Sequence, residues 1–308
     1  MSYLYNNAQQ IISINENVAG TSLPSPKTFE YDDRDQLKKE KFNNYSETYT
    51  YDKAQNRLSK GKDYTAPDTF SYVIANKLTN IHIGVQSADN QYFYDIAGNL
   101  SSNVKNDTIK TVIDYYYNAQ NKLCEIHKYY NVGNSRAHQW HKLKYDSQNR
   151  RIALSQNDTW RYTIHDGNIP IAETDNSGNV SRWFVRGVGI AEGTGDMIAE
   201  ITGYDPYSVK IVYYLSNHRG DTMLAYRDDN GTETLVARYL YDAFGNRRTD
   251  SNYCYENQNE TDNLPRYTFS TKEYLSDAKL YLYAYRVYDP IAGRWTQRDP
   301  IMVGVGPS

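Results

Sequence analysis

The sequence lacks the features that mark several common classes of protein. With two cysteines in 308 residues, it has neither a disulfide framework nor cysteine spacing typical of a metal site, so Cys124 and Cys254 are expected to be free, buried thiols. No apolar run approaches the roughly 20 residues of a membrane-spanning helix. The N-terminus has no basic stretch followed by an apolar one, so we expect no secretory signal peptide.

The chain also lacks a large excess of positive or negative charge. The chain has 34 basic and 37 acidic residues, and a formal net charge of −3 offers no electrostatic surface for nucleic acid or an anionic membrane. Only 39% of the residues are hydrophobic, and aromatic area comes from 32 tyrosines against 7 phenylalanines and 4 tryptophans. Tyrosine favours strands and packs its ring while its hydroxyl reaches water or backbone, so this composition predicts thin sheets with hydrated faces.

A repeated unit runs through the first half of the chain. Its order is tyrosine, then Asp or Asn, two variable residues, a short polar cluster and usually an aliphatic residue. We interpret each unit as a hairpin in which the Asp or Asn accepts backbone N–H bonds and a following Gly or Asn has positive φ. One copy begins at Tyr5, and the gap between Tyr51 and Tyr94 leaves room for a degenerate copy near Asn76 to Leu78. The repeat motif is assigned to Tyr31 and Asp32, Tyr51 and Asp52, Tyr94 and Asp95, Tyr117 and Asn118, Tyr145 and Asp146, and Tyr241 and Asp242.

From about Arg161 the near-copies give way to distinct hairpins. Each pairs strand-forming stretches around a turn that contains glycine. The predicted turns are Asp166-Gly167, Ser177-Gly178-Asn179, Arg219-Gly220-Asp221 and Asp229-Asn230-Gly231. We therefore expect two regions: a repeat region over 1–160 and a second region over 161–308.

The second region ends in a stretch that reads YDPIAGRWTQRDP, from Tyr288 to Pro300. This stretch resembles the conserved core end of the rearrangement-hotspot (Rhs) and YD-repeat family, which includes insecticidal toxin-complex C components and, more distantly, teneurins. The resemblance implies an all-β fold of stacked antiparallel hairpins, forming a curved, solenoid-like ribbon around a hollow interior that encloses a C-terminal toxin. It also implies that the end of the chain is a plug that closes the shell. The residues expected to hold this closure, arginines through paired hydrogen bonds and tryptophan through burial, are Tyr288, Asp289, Pro290, Gly293, Arg294, Trp295, Arg298, Asp299 and Pro300.

The chain departs from the family after Pro300. Relatives continue with a glycine and an aromatic segment, and many have a second aspartate-proline site where self-cleavage frees the toxin. This chain reads IMVGVGPS and stops at Ser308, so we expect either an orphan or truncated core or a core whose polymorphic tail has been removed, in each case without its toxin. Asp299, and less so Asp289, are the candidates for self-cleavage, although both are expected to cap turns before proline.

Other motifs that suggest chemistry have simpler structural interpretations. His138 and His141 lie three apart on a predicted strand and so point to opposite faces, which disfavours a shared metal. His165 and His218 flank predicted turns, without a recognisable nucleophile. Loops are predicted for Gly187 to Gly189 and Gly193 to Asp196, and a turn rather than an adhesion motif for the Arg-Gly-Asp at 219 to 221.

The sequence thus predicts a non-enzymatic shell or scaffold of an Rhs-type toxin system, with no cofactor and no metal. Its partners would be toxin cargo or other shell segments, and open sheet edges would allow self-association. The alternatives are a carbohydrate- or receptor-binding surface built on exposed tyrosines, and a self-cleaving core. Export by a specialised system or display at a bacterial surface fits a chain made in the cytoplasm.

Overall fold

A computed structural model describes residues 2–15, 26–42, 45–62, 65–84, 89–107, 109–187, 197–203, 208–229, 231–251 and 254–299. The chain forms two compact units. Unit 1 comprises Met1–Phe93 and Ser102–Thr111, and unit 2 comprises Tyr94–Ser101 and Val112–Ser308. Strands dominate both units, which confirms the all-β fold of consecutive antiparallel hairpins.

The first ten strands are short, as expected for hairpins joined by tight turns. They are β1 Ser2–Tyr5, β2 Ile11–Asn15, β3 Lys27–Tyr31, β4 Leu37–Phe42, β5 Tyr45–Tyr51, β6 Arg57–Lys62, β7 Asp68–Val73, β8 Lys77–His82, β9 Asp89–Tyr94 and β10 Leu100–Lys105. Within unit 1, each strand from β1 to β9 pairs antiparallel with the next one along the chain.

The following strands build unit 2 in the same manner, and each pairs antiparallel with its successor from β11 to β22. They are β11 Thr111–Tyr117, β12 Leu123–Val132, β13 Ser135–Tyr145, β14 Arg151–Gln156, β15 Thr159–Asp166, β16 Ile169–Thr174, β17 Val180–Arg186, β18 Met197–Thr202, β19 Lys210–Ser216, β20 Thr222–Asp229, β21 Thr232–Arg238 and β22 Tyr255–Glu256.

A separate four-stranded antiparallel sheet closes the described part of the chain. Its strands are β23 Glu273–Leu275, β24 Leu280–Leu282, β25 Val287–Asp289 and β26 Arg294–Trp295. The described 3-10 helices are Ile74–Asn76, Gln258–Asn263 and Phe269–Thr271. In the described residues, no helix is both long and apolar enough to span a membrane.

The repeat turns have the predicted geometry. The Asp52 Oδ1 accepts the N–H groups of Ala54 and Asn56 at 2.8 Å each, and the Asp52 N–H donates to the Asn56 carbonyl at 2.9 Å. Gln55, third after the aspartate, has φ of 67°, the conformation that this turn requires. The same two side-chain bonds recur at Asn6, Asp32, Asn118, Asp146, Asp175, Asn217 and Asp242.

The repeat tyrosine ties each unit to the one before it. The Tyr145 hydroxyl donates to the Leu123 carbonyl at 2.9 Å, and Leu123 is the first residue of the return strand in the preceding unit. Each such bond satisfies a carbonyl beside a turn and fixes the spacing of successive hairpins. Equivalent bonds join Tyr31 to Ile11, Tyr51 to Leu37, Tyr72 to Arg57, Tyr117 to Leu100, and Tyr241 to Thr222.

Tyr72 belongs to the degenerate copy that was expected in the gap between Tyr51 and Tyr94. Its turn is the 3-10 helix Ile74–Asn76. The Asn56 side chain of the preceding turn donates to the Asn76 side chain at 3.1 Å. The degenerate copy therefore keeps the stacking contacts although its sequence has lost the motif.

The turns predicted after Arg161 are also present where the structure describes them. Gly167, Gly178, Gly220 and Gly231 all have positive φ. Asn230 lies outside the described residues, as do 188–189 and the glycine-rich stretch 193–196.

Unit 2 has a buried core to which both of its sheets contribute. Leu123, Ile126 and Leu224 of the long sheet have no exposed surface, and Leu280 and Tyr281 of the four-stranded sheet are equally inaccessible. We call residues 266–299 the closing segment. Its apolar strand residues thus belong to the core of unit 2.

Candidate functional site

Backbone hydrogen bonds join the closing segment to the turns of unit 2. At one end, the Thr222 N–H donates to the Thr268 carbonyl at 3.1 Å, and the Thr271 N–H donates to the Gly220 carbonyl at 2.9 Å. These reciprocal bonds continue strand-like pairing beyond the four-stranded sheet. The closing segment therefore satisfies backbone groups that the hairpin turn leaves unpaired.

The other end of the closing segment reaches the turns of the early repeats. The Leu100 N–H donates to the Thr296 carbonyl at 2.7 Å, and the Tyr117 hydroxyl approaches the same oxygen at 3.1 Å. The Gln297 side chain donates to the Asn121 carbonyl at 3.0 Å. We call the stretch from Tyr288 to Pro300 the signature. Its residues Thr296 and Gln297 are thus hydrogen-bonded to the repeats.

Two tyrosines of the closing segment bind the turn that follows Asp242. The Tyr281 hydroxyl donates to the Gly245 carbonyl and the Tyr288 hydroxyl donates to the Phe244 carbonyl, each at 2.9 Å. Tyr281 is fully buried. As in the repeats, a tyrosine hydroxyl here donates a hydrogen bond to a backbone carbonyl of a turn.

Trp295 differs from its expected role, because 37% of its surface is exposed. Its ring lies edge-on to Tyr283 and Tyr288, with centroid distances of 4.8 and 5.4 Å. The Arg286 guanidinium stacks over the other part of the ring at 4.1 Å. These aromatic and cation–π contacts hold Trp295 in place. The expectation that Trp295 is buried was wrong, because β26 lies at an edge of its sheet.

The two aspartates of the signature have structural partners. The Asp289 carboxylate is buried and accepts the N–H groups of Ile291 and Ala292 at 2.9 and 3.1 Å, which confirms the turn cap expected there. The Asp299 carboxylate pairs with Arg286 at 3.0 Å. Pro300 lies outside the described residues.

The remaining signature residues support the same contacts. The Pro290 carbonyl accepts the Asn246 side chain at 2.8 Å, and the Gly293 N–H donates to the Asp289 carbonyl at 2.8 Å. Gly293 has φ of 68°. The Arg298 side chain lies directly against the backbone of Gly98, a glycine of the repeats. Arg294 stands opposite Asp289 in the β25–β26 pairing.

A buried ionic network joins the closing segment to the sheet. Glu273 binds Arg151 and Arg161, and Glu173 binds Arg161 and Arg266. Both carboxylates are almost inaccessible, with Glu173 at 1% and Glu273 at 2% exposure. Arg161 bridges the two carboxylates, so strands β14, β15 and β16 are linked to the closing segment.

The electrostatics of Glu273 follow from this arrangement. Burial alone would raise the pKa of its carboxyl, but the charges of Arg161 and Arg151 outweigh burial and lower the pKa to about 2. Glu273 therefore stays ionised throughout the physiological range. Breaking such a pair leaves an uncompensated buried charge.

A cavity of about 870 Å³ lies beside the network and is lined by sheet residues and the start of the closing segment. His141 faces it from β13, and its Nε2 is 3.8 Å from an Asp277 oxygen. Within the part of the chain that the structure describes, neither ring nitrogen has a hydrogen-bond partner. Burial lowers the pKa of His141, so its ring is neutral at pH 7. Arg161, Arg266 and Glu273 also line the cavity but are engaged in the ion pairs described above.

The motifs that suggested chemistry occupy structural positions. Asp221 of the Arg-Gly-Asp tripeptide is 1% exposed and pairs with Arg219 at 2.7 Å, so the tripeptide is not displayed. His138 is exposed and His141 is buried, which confirms that they lie on opposite faces. Among the residues that the structure describes, no group of three or more His, Cys, Asp or Glu side chains is arranged to hold a metal.

The cysteines match the expected thiols only in part. Cys124 and Cys254 are both free, but each is half-buried rather than buried. Burial raises the pKa of both thiols, and the Cys124 Sγ donates to the Tyr116 carbonyl at 3.2 Å. Neither has the lowered pKa of a reactive thiolate.

The ionic network was missed in the sequence. Arg161 and Glu273 are 112 positions apart, and nothing in their spacing indicates an ion pair. The sequence feature that could have indicated a buried ionic network is the abundance of positively and negatively charged residues in a chain with few aliphatic residues.

No protein-family model matches the sequence. Among curated proteins, the chain is similar to the tRNA nuclease WapA of Bacillus subtilis (strain 168) and the tRNA3(Ser)-specific nuclease WapA of Bacillus spizizenii, with 27% identity over 260 residues in each case. The alignments cover 82% of this chain but 9% of each relative, so the chain spans a small part of their length.

Toxin-complex assemblies are among the solved structures similar to this chain. They include the Tc holotoxin pore of Photorhabdus luminescens and a TcdB2-TccC3 complex, each with a TM-score of 0.46 and 16% identity. The matches cover 98% and 97% of this chain and 18% of each matched chain.

Proposed function

We propose that this chain is a non-enzymatic wall segment of an Rhs-type toxin shell, which encloses or presents toxin polypeptide encoded outside these 308 residues. The interlock between the closing segment and the sheet of unit 2 is the observation that carries this proposal. Backbone bonds, tyrosine hydroxyls and the buried network around Glu273 all serve that interlock. The repeat region 1–160 would extend the wall, and the region 161–308 would hold its closure.

The use of the polar side chains supports a structural role. Arg161 and Glu273, which line the cavity of about 870 Å³, form an ion pair with each other, and the signature aspartate Asp289 caps a turn. These groups are thus engaged in contacts within the fold. The partial similarity to WapA supports the Rhs-type assignment.

Nuclease activity is the first property to test, because the similar Bacillus proteins are named as tRNA nucleases. Purified chain would be incubated with total tRNA and Mg²⁺, with ribonuclease A as positive control. We expect intact tRNA at stoichiometric protein. Cleavage that co-elutes with the chain on two successive columns would overturn the non-enzymatic assignment.

Self-processing is tested by intact mass. The chain should keep the mass of residues 1–308 after prolonged incubation, and Asp299→Asn should behave identically because Asp299 serves an ion pair with Arg286. A truncated product that disappears in Asp299→Asn would establish self-cleavage instead.

A sugar-binding function has less support than the wall proposal, because the aromatic side chains on the surface of the sheet are covered by neighbouring side chains. Tyr129 and His138 are parallel with centroids 4.4 Å apart, and the Lys144 ammonium covers the face of Trp160 at 4.2 Å. We expect no specific glycan-array signal. Binding abolished by Trp183→Ala, which removes an exposed ring, would favour a surface-binding module.

The wall proposal also predicts association through unpaired strand edges. Light scattering after size exclusion should reveal oligomers whose fraction rises with protein concentration. A monomer at every concentration would show that the edges are protected. Export through a specialised secretion route completes the proposal.

A further inference from the structure

Two histidines that are 11 residues apart in sequence meet on one face of the β12–β13 hairpin. In the strand register, His127 lies opposite Trp140 and Tyr129 lies opposite His138, so the two histidines are diagonal neighbours. Their rings are stacked with centroids 5.1 Å apart, and His127 Nδ1 is 3.0 Å from His138 Nε2. The two imidazole nitrogens thus face each other within hydrogen-bond distance at the protein surface.

Neighbouring rings hold both imidazoles in place. His138 is parallel to Tyr129 within 4° and lies 4.9 Å from Trp140. The ring of His127 packs against the edge of Tyr116 at 5.2 Å. Because these contacts restrict both side chains before any ligand binds, little rotamer entropy remains to be lost on binding.

A carboxylate fixes the proton of His127 on the far side of the ring. Glu125 Oε2 lies 2.9 Å from His127 Nε2, so that nitrogen carries the hydrogen, and His127 Nδ1 accepts the hydrogen bond that His138 Nε2 donates. Histidines that bind metals commonly donate their other N–H to a carboxylate in this way. Glu125 also offsets part of the charge that a cation would bring.

We propose that His127 Nδ1 and His138 Nε2 together bind one divalent transition-metal ion of the zinc, copper or nickel type, with water in the remaining positions. Zinc–nitrogen bonds of about 2.0–2.1 Å at a tetrahedral angle place two ligand nitrogens about 3.3 Å apart. The observed 3.0 Å is close to that separation, so both nitrogens can reach one ion once the rings turn their lone pairs towards it. The ion then takes the place of the hydrogen between the two nitrogens, and His138 carries its proton on Nδ1. Imidazole nitrogens select these ions over calcium and magnesium, which require oxygen ligands.

The test is calorimetric titration of zinc chloride into the full chain at pH 7.5. The parent protein would carry Cys124→Ser and Cys254→Ser, because thiolates compete for zinc. We expect one saturable site per chain, which either His127→Ala or His138→Ala removes. Glu125→Gln should weaken binding by roughly 10–100-fold, since it leaves both ligands and removes the carboxylate that orients one of them.

His82→Ala is the matched control. The His82 ring is also on the surface and also bonds a carboxylate, Asp89 at 2.7 Å, but it has no second imidazole at that position. Its removal should leave zinc affinity unchanged. Circular dichroism of each variant would establish that the sheet is intact.

Nitrogen NMR gives an independent reading that does not depend on substitution. Zinc should shift His127 Nδ1 and His138 Nε2 at one equivalent and leave the other four histidines unaffected. Saturable zinc binding that persists in the double alanine variant, shifts at other histidines, or no stoichiometric binding by the parent protein would each overturn the proposal.

Discussion

Replacing Glu273 by glutamine tests the ionic network with the smallest change of shape. The glutamine keeps the size of the side chain and removes its charge. Arg151 then loses its carboxylate partner in the network, while Arg161 keeps only Glu173. The substitution therefore leaves buried positive charge uncompensated at the joint between closing segment and sheet.

The magnitude follows from two independent estimates. Removing one partner of a buried ion pair costs about 3–5 kcal/mol of unfolding free energy. The pKa of Glu273 falls from 4.5 to about 2 on folding, which corresponds to about 3 kcal/mol. We therefore expect Glu273→Gln to destabilise unit 2 by about 3–4 kcal/mol at neutral pH.

The sign of the pH dependence follows from the lowered pKa. Because the folded pKa is depressed, the contribution of Glu273 is complete above pH 4.5 and is lost as pH falls towards 2. The stability difference between wild type and Glu273→Gln should therefore shrink on acidification, to roughly half of its neutral value near pH 3.

Urea unfolding followed by tryptophan fluorescence measures this difference, because all four tryptophans lie in unit 2. Glu233→Gln is the matched control, an exposed glutamate on β21 whose replacement should change stability by no more than about 0.5 kcal/mol. A loss below about 1 kcal/mol for Glu273→Gln, or a difference that does not change with pH, would refute the reasoning.

Other predictions concern the turns and the repeat tyrosines. Gly245→Ala should cost about 1–3 kcal/mol more than Gly178→Ala in the same urea assay, because both have φ above 80° but only the first would place a methyl 2.6 Å from the Phe269 ring. Equal losses of stability in the two variants would mean that backbone strain causes the whole effect. Tyr145→Phe should cost about 1–2 kcal/mol by removing the bond to the Leu123 carbonyl. Burial raises the pKa of Tyr145 to about 12, so its stabilisation should be lost as pH rises from about 10 to 12; an absorbance titration that finds this phenol ionising near 10 would contradict its burial.

The repeat turns could be predicted from sequence because their chemistry is local. An aspartate such as Asp52 acts on N–H groups two and four residues ahead, and the positive φ falls at a fixed position between them. Even the degenerate copy at Ile74–Asn76 was detectable from the spacing of its neighbours. Periodicity therefore predicted both the elements and their order.

The contacts between distant parts of unit 2 could not be predicted in this way. Glu273 meets Arg161 across 112 residues. Trp295 illustrates the same limit, since its exposure depends on the edge position of β26 and not on the signature around it. Such features depend on how the four-stranded sheet packs against the long sheet, and residue spacing does not encode that.

Hydrogen exchange of the closing segment tests the central claim most directly, namely that this segment is an integral part of the wall. We predict that the amides of β24, together with the Thr271 N–H that joins the closing segment to the sheet, exchange as slowly as those of β20. Rapid exchange throughout 266–299 while β20 stays protected would contradict it, because the segment would then open independently of the sheet.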